Sequence, residues 1–200
     1  MRLVLVGESY LEHKGDAMTS AILSDGMPIS EEDFLAMGET PDRIELFDGS
    51  LHVTPNPTTT HQHLLGELYA ELRLPARDAG LHVLLAPNVR LQPNRIPIPD
   101  LVITTDMERK LVIEADTVLL ACEVTSPSNA ATDKVLKMHY YAAAGIQWYL
   151  LIDQKTTEMQ LFRLAGDTYV EHSTARPGGV LRLREPVVVN LDPAELALPA

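Results

Sequence analysis

The spacing of apolar positions changes period several times along the chain, and each change marks a new element. Ile44, Leu46 and Phe47 punctuate Arg43-Ile44-Glu45-Leu46-Phe47, and Leu51 and Val53 alternate in Ser50-Leu51-His52-Val53-Thr54. Asp48-Gly49 lies between these segments and predicts a two-residue hairpin turn. Upstream, Ser30 followed by Glu31, Glu32 and Asp33 predicts a short helix, with an N-cap and acids set against the helix dipole. After Thr58-Thr59-Thr60 the period lengthens. Leu64, Leu65, Leu68 and Leu72 recur at helical spacing and predict a helix over about 61–73, with His61 on the same stripe. Three apolar runs with strand character follow, over 82–91, 96–104 and 118–125. A second helix is expected over about 131–144, ended by Gly145. A strongly apolar strand over 147–153 and a meander over 158–163, 168–172 and 180–189 complete the pattern.

The order is helix, hairpin, helix, three strands, helix, strands. That order predicts a mixed α/β domain with one sheet flanked by helices. Residues 1–17 are expected to be a flexible N-terminal extension, because Met18 would serve equally well as a start. Residues 18–200 are expected to form one domain. No internal repeat or low-complexity tract interrupts it.

Composition narrows the function classes. The hydrophobic fraction of 46% and charged fraction of 22% are ordinary for a soluble globular chain. No apolar run approaches the roughly 20 residues that span a bilayer, so a cytoplasmic protein without a membrane partner is expected. The single cysteine, Cys122, excludes an internal disulfide and a cysteine-based zinc site. The formal net charge is −12, which argues against a broad nucleic-acid surface. Residues 1–60 hold 3 basic and 11 acidic residues, so most of the excess lies at the N-terminal end. A local basic rim elsewhere is compatible with that distribution.

Two carboxylates stand out from the apolar runs. Asp100 lies within Ile96-Pro97-Ile98-Pro99-Asp100-Leu101-Val102-Ile103, and Glu123 within Val118-Leu119-Leu120-Ala121-Cys122-Glu123-Val124-Thr125. A carboxylate inside a core strand is costly unless something pairs with it. Ile98, Asp100 and Val102 share a strand face, as do Glu123 and Thr125. On adjacent strands the two acids can converge and jointly hold a hard divalent cation such as Mg²⁺. Such an ion can activate water and stabilise a phosphoryl displacement. Against this stands the reading that each acid is a solvated strand end.

The stretches Ile44-Glu45-Leu46-Phe47-Asp48-Gly49, Pro99-Asp100-Leu101-Val102 and Glu123-Val124-Thr125-Ser126-Pro127-Ser128 together resemble the putative restriction endonuclease family. That family is a bacterial branch of the PD-(D/E)XK nuclease superfamily. Asp133, Lys137, Tyr141, Ala144-Gly145-Ile146 and Asp153 extend the resemblance, which runs over about 29–153. The resemblance implies an α/β restriction-endonuclease-like fold, a mixed central sheet flanked by helices, with an N-terminal helix and hairpin and extra C-terminal antiparallel strands. It implies a metal-dependent endodeoxyribonuclease, with Mg²⁺ or Mn²⁺ as cofactor and DNA as substrate. Asp100 and Glu123 are the implied catalytic and metal-binding acids, with Glu45 a third metal-binding acid. A homodimer is expected if both strands of a duplex are cut. One position departs from the superfamily pattern. The lysine two residues after the second acid is replaced by Thr125, and the branch resembled takes its lysine from the next helix. Lys137 is the implied catalytic lysine, and Lys134, three residues earlier, lies roughly on the same face.

Bland alternatives accompany these assignments. Asp133 and Lys137 have the spacing of a surface ion pair, and Glu45 has the position of a solvent-facing strand residue. His61 and His63 diverge by about 200° on a helix, so they do not form a metal pair. His61, Thr125 and Lys134 are candidates for the site edge. Ser126-Pro127-Ser128 has no nucleophile elbow around it and reads as a turn and cap. No phosphate-binding glycine loop or dinucleotide fingerprint is present. A nuclease-like fold acting only as a binding or assembly module is the alternative function. A two-carboxylate glycosidase is weaker, because only 5% of residues are aromatic.

Overall fold

A computed structural model describes residues 28–54, 56–125 and 132–198, and of residues 132–134 the backbone only. The expected extension over 1–17 and the Ser126-Pro127-Ser128 turn lie outside the described residues.

The chain opens with α1 (Glu31–Ala36), whose N-cap Ser30 accepts a hydrogen bond from the Asp33 amide at 3.1 Å. The hairpin β1 (Arg43–Phe47) and β2 (Ser50–Thr54) follows, with Phe47 opposite Ser50 across the turn. Asp48 and Gly49 both have positive φ, the conformation that a primed two-residue turn requires. The helix α2 (Thr59–Asp78) buries His61, Leu64, Leu68, Leu72 and Ala76, and Thr58 caps it. It runs five residues past the expected end, through Pro75. The stripe continues to Ala76, and its burial outweighs the donor that Pro75 lacks.

The main sheet has six strands in the order β11-β10-β9-β8-β6-β3. Its members are β3 (His82–Leu85), β6 (Leu101–Thr104), β8 (Val118–Thr125), β9 (Trp148–Asp153), β10 (Met159–Ala165) and β11 (Thr168–Ala175). Only β8 and β9 are parallel; the other neighbours run antiparallel. A parallel pair needs a crossover, and α3 (Thr132–Ala143) supplies it. On one face α2 packs over Leu101, Ile103, Leu120, Cys122 and Leu150. On the other, Tyr141 of α3 packs with Val102, Ala121, Tyr149 and Leu151. This is the expected mixed sheet flanked by helices, with the C-terminal strands added antiparallel.

Three of the expected strands are broken, each at a proline. The run over 82–91 divides at Ala86-Pro87 into β3 and β4 (Asn88–Arg90). The run over 96–104 divides at Pro97 and Pro99, which have no amide to give a ladder. Its first part, β5 (Arg95–Ile96), pairs with β1, and its second, β6, pairs with β3 and β8. Residues 97–100 therefore step from the small sheet to the large one. The run over 180–189 divides likewise, into β12 (Leu181–Leu183) and β13 (Val189–Leu191), on either side of Pro186. The three-residue β7 (Val112–Glu114), unforeseen because it is so short, pairs parallel with β4.

Ala86 has φ 49°, a left-handed conformation, and its side chain is exposed. That conformation costs an L-residue about 1–2 kcal/mol. Glycine relieves it but gives back about 0.5–1 kcal/mol through unfolded-state entropy. Ala86→Gly is therefore expected to raise stability by up to about 1 kcal/mol, read as a higher urea midpoint. A lower midpoint would show that Ala86 is not strained.

Candidate active site

The register of β6 and β8 brings the two singled-out acids together. Leu101 pairs with Cys122 and Val102 with Ala121. One step further along each strand, Asp100 stands opposite Glu123. The Asp100 carboxylate takes over the ladder at that point, because its Oδ2 accepts from the Val124 amide at 2.8 Å. Pro99 stops the backbone from continuing it.

Glu45 reaches the same place from the hairpin. Ile44 and Leu46 pack into the apolar cluster under α1, so Glu45 points to the opposite side of β1. It is 3% exposed, which overturns the solvent-facing reading of this residue. Its Oε1 accepts from the Ile98 amide at 2.8 Å. From α3, the Lys137 ammonium lies 2.9 Å from Glu45 Oε1 and 3.1 Å from Glu123 Oε1. The lysine thus turns inward and bridges two acids. Four residues on, the Tyr141 hydroxyl donates to Glu123 Oε1 at 2.6 Å. Lys137 and Tyr141 occupy successive turns of one helix face.

Arg43 completes the group, and sequence reasoning missed it. One of its terminal nitrogens lies 2.8 Å from Asp100 Oδ1 and also donates to the Ile98 carbonyl. The signal was available, because Arg43 stands two residues before Glu45 on the same strand face. His61, at the start of α2, places Nε2 3.4 Å from Asp100 Oδ1. That is an electrostatic contact without hydrogen-bond alignment, and this nitrogen has no hydrogen-bond partner.

Burial and charge set the protonation states. For Asp100, burial works to raise the carboxyl, but His61, Arg43 and the Val124 amide prevail and bring it down to about 2. For Glu123, burial dominates. Attraction to Lys137 opposes it, repulsion from Asp100 and Glu45 adds to it, and the carboxyl rises to about 7. Burial pulls Lys137 down, yet Glu123 and Glu45 leave it above its ordinary value. Three carboxylates thus face two fixed cations, and Glu123 is the acid left short of positive charge.

The linkage has a definite sign. Because the folded-state carboxyl of Glu123 is raised, its contribution is fully present below the ordinary value of 4.5 and is lost as pH rises through about 7. In metal-free buffer, Glu123→Gln is expected to flatten the fall in stability over that window, measured by urea unfolding at several pH values. An unchanged slope would place the titrating group elsewhere.

Not every candidate joins the group. The Thr125 hydroxyl donates to the Ile152 carbonyl at 3.3 Å and makes no bond to the acids. His63 turns away, with Nε2 3.3 Å from the Ala197 carbonyl. The side chains of Lys134 and Asp133 lie outside the described residues, so the Asp133–Lys137 pair does too.

Among the described residues, no three His, Cys, Asp or Glu side chains stand close enough to enclose an ion in this arrangement. Lys137 bridges Glu45 and Glu123, and Arg43 sits on Asp100. The donor set itself fits a hard cation, for two reasons. Its ligating atoms are carboxylate oxygens, and the three acids outnumber the two fixed cations.

Known proteins match this chain at two levels. A family model described as "Uma2: Putative restriction endonuclease" matches residues 31–197. No curated protein matches the chain. A solved structure similar to it is a putative nuclease belonging to DUF820 from Anabaena variabilis ATCC 29413. The two share 16% identity with a TM-score of 0.70, over 84% of this chain and 97% of that one. At that identity the likeness shows the fold.

Proposed function

Because the chain belongs to the Uma2 putative restriction endonuclease family, we propose that it is a divalent-metal-dependent endonuclease that hydrolyses DNA phosphodiesters. The observation that carries this reading is the buried meeting of Asp100, Glu123 and Glu45 around the Lys137 ammonium. Asp100 and Glu123 would hold Mg²⁺ or Mn²⁺, with Glu45 beside them. When bound, such an ion supplies Lewis-acid stabilisation of charge at the scissile phosphate.

The chain's own groups have separate tasks. Lys137, kept protonated by its two acids, presents a fixed positive charge toward the oxyanion that develops during hydrolysis. Its position on α3 supplies the cation that Thr125 cannot. Tyr141 orients Glu123 by its hydrogen bond. Arg43 holds Asp100 ionised and offers further donors to a phosphate oxygen. His61 flanks Asp100 at the edge. The one-domain organisation over 18–200 belongs to this reading, as does a homodimer for any cut through both strands.

Incubation of plasmid and oligonucleotide DNA with Mg²⁺ or Mn²⁺ tests the proposal. Cutting that stops on chelation supports it. The two cations among the acids favour a second reading, a nuclease-like fold that binds without cutting. Absence of divalent-ion binding at millimolar concentration in calorimetry, together with absence of cutting, would establish that reading instead.

A further inference from the structure

A cavity of about 490 Å³ adjoins the carboxylate group through Arg43 and Ile98. That volume falls within the roughly 300–1,000 Å³ range of small-ligand sites. Arg43 and Ile98 belong to both places. They line the cavity, and they also hold Asp100 and Glu45 through the Arg43–Asp100 pair and the Ile98 amide. The walls pair apolar side chains with carboxamides. Phe34, Met37 and Leu111 give an apolar side, and Asn56 and Asn88 bring carboxamides, that of Asn88 already donating to the Leu111 carbonyl at 3.1 Å. The strained Ala86 stands in the wall as well, and its amide donates to the Asp100 carbonyl at 3.0 Å. Non-glycine strain of this kind collects where a surrounding structure holds a functional geometry.

The charge around the opening limits the occupant. Glu39 and Asp42 line the cavity, and the chain as a whole carries −12. A run of phosphates is repelled there, and Arg43 is the single basic residue among the lining residues. One phosphate on Arg43 with one planar, hydrogen-bonding ring against the apolar wall uses the one cation, the carboxamides and the apolar side together. We infer that this cavity takes a single unpaired nucleotide of the substrate, its base in the cavity and its phosphate at Arg43. The substrate class is accordingly single-stranded or locally unpaired DNA. This inference rests on the nuclease reading of the adjoining acids.

Two measurements test it on the full chain. Calorimetry compares deoxynucleoside monophosphates with inorganic phosphate. The nucleotides are expected to bind at least about tenfold more tightly, a gain that stacking and base hydrogen bonds supply. Met37→Trp, which fills the cavity, and Leu111→Glu, which puts a carboxylate into the apolar wall without adding bulk, should each abolish that difference while thermal unfolding stays cooperative. Cleavage then compares single strands and gapped duplexes with fully paired duplex. Unpaired DNA is expected to be cut at least about tenfold faster, with a shallow salt dependence of about one phosphate contact. Nucleotide binding no tighter than phosphate would overturn the inference, as would equal cutting of paired and unpaired DNA. If no DNA of any kind is cut, the nuclease reading fails while the nucleotide titration still decides what the cavity holds.

Discussion

Lys137→Met is expected to destabilise the protein by about 3–5 kcal/mol, the usual cost of removing one partner from a buried ion pair. Methionine keeps the length and apolar stem of the side chain, so packing changes little. What is lost is the ammonium that lies about equally close to Glu45 and Glu123. Those acids are 3% and 8% exposed, so water cannot replace it. The deficit depends on pH with a fixed sign. Glu123 already holds its proton up to about 7 with Lys137 present. Without the lysine it holds the proton longer, which spares the fold at low pH and penalises it as pH rises. Urea unfolding at about pH 5 and about pH 8 should show the larger loss at the higher pH. Equal losses at both would mean that the ammonium is not what compensates the acids.

Under the nuclease proposal, Asp100→Asn is expected to lower metal-dependent cleavage at least about a thousandfold, roughly 4 kcal/mol of transition-state stabilisation. The substitution preserves shape, and the amide oxygen can still accept from the Val124 amide. Only the charge goes. Stability should fall by less, about 1–3 kcal/mol, as Arg43 loses its ionic partner. Asp100 is held down at about 2, so its stabilising contribution is present above the ordinary value of 3.8 and disappears as pH falls through about 2. The variant's deficit should therefore be full at neutral pH and shrink in strong acid. Cleavage by this variant at the wild-type rate would remove Asp100 from the reaction.

Different parts of the site were legible in the sequence to different degrees. Asp100 and Glu123 were visible because a carboxylate amid apolar strand residues violates the local pattern. Their pairing then follows from one antiparallel register. Glu45 was ambiguous, because alternation separates the two faces of a strand without saying which face is covered. Both faces of β1 are covered, by the α1 cluster on one side and by the acids on the other. The same ambiguity hid Arg43, which shares the Glu45 face. Lys137 lay at the spacing of a surface ion pair, and the direction it faces is set by the packing of the β8–β9 crossover rather than by helix period. The cavity was not visible at all. Its walls come from α1, β1, β4 and the residues around Ala86 and Leu111, which only the folded chain brings together. The broken strands show the opposite limit. Apolar content suggested continuous runs, while Pro87, Pro97 and Pro99 withheld the amides that such runs need.

The same prolines leave one amide by itself. Ile98 is flanked by Pro97 and Pro99, so its N–H is the single backbone donor of that three-residue stretch, and it points at Glu45 Oε1. Its resonance in a two-dimensional amide spectrum would have no sequential amide neighbour on either side. It would therefore serve as a built-in reporter on the carboxylate centre. Any species that draws Glu45 toward itself must re-aim that hydrogen bond. One cross-peak, followed through a titration, would then register occupancy of the site without any added label.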